Sequence, residues 1–183
     1  MREKILFMPH ANIQYSQLHP DRRRWVMKNC YEKIFDVVAE GGYRIAFEAS
    51  GRTIEEMAHQ APEVLDKLKA LLREGRIEAV GSPYTRCMLG NMPPKMGLIS
   101  LKHGLDVWER YTGVRPVTGW NPECGWASYI PDLYKQAGFQ TLIMDADSFF
   151  LSFDEIREAT GLAGGTDQHG VEKSFCPVIS RKN

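Results

Sequence analysis

The sequence predicts an α/β fold of parallel βα units, and three observations lead there. Short apolar runs recur five times along the chain. Segments with apolar residues at helical spacing separate them, and glycines stand where those helical segments stop. Because parallel strands can be joined only by long crossovers, regular alternation of strand and helix builds a parallel sheet whose faces the crossovers cover.

The first run is "KILFM", Lys4 to Met8, which precedes a proline. A polar segment leads to "DRRRWVMKNCYEKIFDVVAEGG", where Trp25, Cys30, Ile34, Val37 and Val38 recur at helical spacing until Gly41 and Gly42 end the helix. "YRIAFEAS" is the second strand. "TIEEMAHQ" and "PEVLDKLKALLREG" are helical, with Pro62 in a first turn and Gly75 as the closing residue. "RIEAVGS" reopens an extended segment and the loop "PYTRCMLGNMPP" follows it. "KMGLISLKHGLDVWERYTG" then lines up Leu98, Leu101, Leu105 and Trp108 before Gly113. The last units are the strand "PVTGW", a loop, the helix "SYIPDLYKQAG" with Pro131 near its start and Gly138 at its end, and the strand "QTLIMDAD".

Loops that follow the carboxyl ends of parallel strands build the binding site in barrels and open sheets alike. Those positions hold His10, Asn12 and Gln14; Glu48 and Arg52; Ser82, Tyr84 and Arg86; the loop "WNPECGW"; and Asp145 and Asp147. Polar and aromatic residues therefore gather at one predicted face. Within it, "GWNPECGW" sets Glu123 between Trp120 and Trp126. Indole rings offer faces for the apolar CH surfaces of a sugar, and glycoside cleavage needs a pair of carboxylates. The plainer alternatives are a solvated loop glutamate and two core tryptophans.

Composition narrows the classes. The chain has 183 residues, 43% of them apolar, enough for one domain or most of one. Its 23 basic and 23 acidic residues cancel, which argues against nucleic acid as a partner. No run reaches the length of a membrane span and the N-terminus does not read as a signal peptide, so the expected setting is cytoplasmic and away from membranes. Cys30, Cys87, Cys124 and Cys176 form no CxxC pair, so reduced thiols are expected, with Cys124 a structural thiol. "GLAGGTDQHG" does not make a phosphate-binding loop. No cofactor and no metal are expected. A zinc reading would draw on His10, Asp145, Asp147 and His103 or His169, yet no compact spacing such as HExxH is present.

Four stretches, in order, resemble glycoside hydrolase family 57, retaining enzymes acting mainly on α-glucans: "FMPHANIQ", the region from "FEASGRTIEEM" to "SPYTRCML", "GWNPECGW", and "IPDLYKQAGFQTLIMDAD". The resemblance covers about Lys4 to Phe150. It implies a distorted parallel barrel of (β/α)7 type, incomplete here with about five to six βα units, and residues 1–183 as the amino-terminal part of a single catalytic domain. It implies Glu123 as the nucleophile of a double displacement, with Trp120 a wall of the sugar site and His10 beside the sugar hydroxyls. Trp126, Ser82 and Asp145 are further candidates for substrate contact. An oligo- or polysaccharide is the implied partner, and an exposed barrel edge invites self-association.

The chain departs from the family pattern twice. Asn12 and Tyr15 stand where the first motif usually has a second histidine and a proline. The family's acid/base aspartate belongs to a later motif, after a further strand, whereas "FCPVIS" is the last apolar stretch before Asn183. Asp145, Asp147 or Asp167 would serve as the acid only at ~5 Å from Glu123, so little turnover is expected of this chain alone. Two other classes stay open: a non-catalytic carbohydrate-binding or assembly subunit, and a metal-dependent deacetylase or mannosidase-like enzyme with His10 and Asp145 on zinc.

Overall fold

The computed structural model describes residues 5–14 and 18–145. Met1–Leu142 and Ile143–Asn183 form two compact units, and the architecture below is that of the first. Tyr15, Asp147, Asp167, His169, Cys176 and the stretches "GLAGGTDQHG" and "FCPVIS" lie outside the described residues.

Five strands run in the order β1-β2-β3-β4-β5: β1 (His10–Ala11), β2 (Ile45–Ser50), β3 (Ile77–Ser82), β4 (Thr118–Trp120) and β5 (Thr141–Ile143). The first three pairings are parallel. β1 is shorter and later than the apolar run predicts, although the Phe7 and Pro9 carbonyls accept hydrogen bonds from Ala46 and Glu48 and continue the extended path before it. Between β1 and β2 lie α1 (Arg23–Val26), a π turn at Met27–Tyr31, and α2 (Glu32–Gly41). α3 (Gly51–Gln60) and α4 (Pro62–Arg73) follow β2, α5 (Pro94–Thr112) follows β3, and α6 (Ile130–Ala137) follows β4.

Neighbouring strands are consecutive in sequence, so crossovers of the usual right hand place every helix on the same face of the sheet. This corrects the expectation that helices cover both faces. It is the topology of a barrel wall, and the barrel is not closed among the described residues. Register then sorts the side chains. His10 pairs with Glu48, Glu48 with Val80 and Val80 with Thr118. Alternation therefore puts His10, Glu48, Ser82 and Trp120 on one face, and Ala11, Phe47, Ala49, Ile77 and Ala79 on the other. The second set packs with Met27, Tyr31, Phe35, Val38, Ile54, Leu68 and Trp108 in the main core. Phe47 meets Phe35 edge-on at 5.1 Å between centroids, and Trp108 Nε1 donates to the Ala49 carbonyl at 2.9 Å.

The first helical segment turns a different face inward from the one its pattern suggests. Trp25, Cys30 and Val37 are exposed, while Met27, Tyr31, Phe35 and Val38 are buried. Other helix ends follow the sequence: Pro62 and Pro131 sit in first turns, and Gly42, Gly113 and Gly138 close helices with left-handed backbone. α3 and α5 approach closely at Gly51 and Gly104. A Cβ on Gly104 would come within 2.8 Å of the Ser82 carbonyl oxygen.

Candidate active site

The polar face of the sheet ends in a cluster assembled from four strands. His10 lies on β1 itself rather than in the loop beyond it, and its Nδ1 is 3.0 Å from Glu48 Oε2. The His10 ring lies 4.3 Å from the Trp120 ring, tilted by 46°. The Arg86 guanidinium also lies over that indole, 4.8 Å from the ring centroid, a cation–π arrangement. Arg86 Nη2 is also 3.9 Å from Glu123 Oε1. Trp120 is held from behind, where Tyr134 donates to its carbonyl at 2.8 Å. Gly119 leaves room for this: a Cβ there would come within 2.7 Å of the Tyr134 ring.

Glu123 stands on a strained turn. It and Cys124 have φ of 56° and 50°, the only non-glycine residues with positive φ among those described. Left-handed backbone costs such residues on the order of 1–2 kcal/mol each. The turn is locked by Cys124 N–H donating to the Asn121 carbonyl at 3.0 Å and by the Asn121 side-chain amide donating to the Gly125 carbonyl. The result is a carboxylate raised into solvent, its side chain 66% exposed, above a buried support.

Several buried polar atoms nearby have no protein partner: Glu48 Oε1, Ser82 Oγ, Asn121 Oδ1 and Arg86 Nε. A buried polar atom left without a hydrogen bond costs about 1–3 kcal/mol. These four atoms are two acceptors and two potential donors without a protein partner around the polar face of the sheet.

Of the residues singled out in the sequence, His10 and Trp120 are in ring contact, Glu123 reaches Trp120 through Arg86, and Ser82 belongs to the same sheet face. Trp126 is exposed. Asp145 follows β5 in the second unit. The sequence pattern does not mark Asn121, and it marks Arg86 and Glu48 only as strand-end residues. The signal for Glu48 was present as parity, because it alternates with the core residues Phe47 and Ala49. Among the described residues no three His, Cys, Asp or Glu side chains converge in a way that could hold a metal ion.

Fold and cluster together define an α/β protein with a polar, aromatic-walled site at its strand ends. Residues 1–160 match the profile of Glycosyl hydrolase family 57, and the chain belongs to that family. A curated relative, an alpha-amylase of Pyrococcus horikoshii, is 27% identical over 135 residues, which is 70% of this chain and 21% of that protein. The chain thus spans about a fifth of the length of the curated relatives it matches. Among solved structures, 4-alpha-glucanotransferase from Thermococcus litoralis superposes with a TM-score of 0.66 at 20% identity, covering 79% of this chain and 23% of that one. A polysaccharide deacetylase from Mycobacterium smegmatis superposes at 0.58 and 18% identity, covering 75% and 49%. At such identities these likenesses establish the fold alone.

Proposed function

We propose that residues 1–183 carry the amino-terminal part of the catalytic barrel of a retaining glycosidase or glucanotransferase acting on α-glucans, with Glu123 as its nucleophile. The observation that carries this reading is the strained turn at Glu123 and Cys124, which holds one carboxylate beside Arg86 and the Trp120 platform. Strain of this kind persists where surrounding structure enforces it, and it clusters at reacting groups. Family membership and the alpha-amylase and glucanotransferase relatives support the substrate class.

In the first displacement, a Glu123 oxygen attacks the anomeric carbon as the glycosidic C–O bond breaks, and a second carboxyl group gives its proton to the leaving oxygen. Water or an acceptor sugar then attacks the same carbon, losing its proton to that second group and freeing Glu123. Trp120 walls the sugar site, and His10 and Ser82 hydrogen-bond the sugar hydroxyls. Trp126 remains a candidate for contact with further sugar units.

The test is calorimetric titration of the chain with maltooligosaccharides. Saturable binding that survives Glu123→Gln and is lost in Trp120→Ala is expected. A folded chain that binds none of them contradicts the reading.

The thiols of Cys30 and Cys87, which form no disulfide among the described residues, support a cytoplasmic setting. Among the described residues no helix is long and apolar enough to cross a membrane. Exposed Ile5, Leu6 and Phe7 beside β1 support self-association through that edge, which sedimentation over a range of concentrations measures.

A further inference from the structure

We infer that Glu48 is a positioning residue whose carboxylate fixes His10 in the Nδ1–H tautomer, leaving Nε2 as the ring nitrogen that meets a ligand. The in-register pairing of β1 with β2 sets the two side chains directly opposite each other on the polar face, and Glu48 Oε2 lies 3.0 Å from His10 Nδ1. Glu48 is fully buried. Among the described residues its only ion-pair partner is His10, with no lysine or arginine in that role.

A carboxylate taken out of water with a single partner and one unpartnered oxygen, Oε1, is a poor contributor to stability. An apolar residue at this place in β2 would fold at least as well. What the carboxylate adds is direction. A carboxylate oxygen only accepts, so the facing ring nitrogen must carry the proton, and the hydrogen bond made by one imidazole nitrogen sets the role of the other. Trp120 against the ring fixes its plane. Together the two contacts set both the orientation of His10 and the character of its second nitrogen: an acceptor for a sugar hydroxyl while the ring is neutral.

The effect on sugar binding rests on the glycosidase reading above, whereas the tautomer does not. The experiment therefore has two arms. The first is long-range proton–nitrogen correlation on the 15N-labelled chain at a pH where the ring is neutral, with the His10 signals assigned by His10→Gln. The wild type is expected to carry its proton on Nδ1 with Nε2 bare. Glu48→Met should relax toward the Nε2–H form that free imidazole favours. Glu48→Gln, whose carbonyl still accepts, should keep the wild-type pattern.

The second arm is maltooligosaccharide affinity. It should fall about tenfold in Glu48→Met, the scale of one hydrogen bond to a well-placed group, and be largely restored in Glu48→Gln. A wild-type spectrum with the proton on Nε2 overturns the inference without any variant having to fold, and so does an unchanged tautomer in a folded Glu48→Met protein. If the spectra behave as expected and no sugar binds, the positioning role stands and the glycosidase reading fails.

Discussion

His10 on β1 and Trp120 on β4 bring their rings to 4.3 Å, so the two most separated of the parallel-paired strands meet through side chains above β2 and β3. Trp120 is the common support in this arrangement, with His10 against its ring, Arg86 against it as well, and only 7% of its surface exposed. Trp120→Ala should lower stability by about 3–5 kcal/mol and abolish maltooligosaccharide binding. Trp120→Phe should keep most of both. Denaturant midpoints and calorimetry on the two variants check this, and an Ala variant with wild-type affinity would remove the indole from the sugar site.

The left-handed backbone at Glu123 predicts a conflict between stability and activity. Glycine adopts that conformation without strain, so Glu123→Gly should be neutral or more stable by about 0.5–1 kcal/mol, despite the added freedom of its unfolded chain. It should lose all covalent reactivity toward glycosyl donors. A clear drop in its unfolding midpoint would mean that the turn is not strained as described.

Close packing at Gly104 makes the opposite prediction for a small change. The added methyl of Gly104→Ala would press on the Ser82 carbonyl and on the Tyr84 backbone nitrogen, 2.8 and 3.0 Å away. Neither can move without shifting β3 against α5. A loss of about 1–3 kcal/mol is expected, read from urea unfolding.

Stability should fall at both ends of the pH scale. The Lys28 hydrogen bond lowers the Glu32 carboxyl, and the Lys67 hydrogen bond lowers that of Asp36. Between the folded and unfolded values the unfolded chain binds more protons, so these groups stabilise fully above about pH 4 to 4.5. Their contribution disappears as pH drops through the folded values. Burial raises Tyr31 and Tyr134. Their effect is intact below about pH 10 and fades above it, as the unfolded chain loses those protons first. Urea midpoints against pH should show both limbs, with the acid one shallower in Lys67→Met. An acid limb unchanged in that variant would remove the α2–α4 ion pairs from the account.

Strand and helix order was legible because period and punctuation are local properties. Gly113, Gly138, Pro62 and Pro131 act within a turn of themselves. The inward face of the first helix was not legible, because Trp25 and Val37 are as apolar as Met27 and Phe35 and only the π turn and the position of Phe47 decide between them. Glu123 and Trp120 were visible as a short motif. The roles of Glu48 and Arg86 depend on register and on a ring contact across strands, which no local pattern encodes.

The central claim is that Glu123 forms the bond to sugar, and an activated α-glucosyl fluoride tests it directly, because fluoride departs without needing a protonated acid. A ring-fluorinated donor, which slows release of the adduct, should add one glycosyl unit to the intact mass of the chain. Peptide mapping should place the addition on Glu123, and Glu123→Gln should gain none. A folded wild-type chain that stays unlabelled, or carries its label on another residue, would contradict the account.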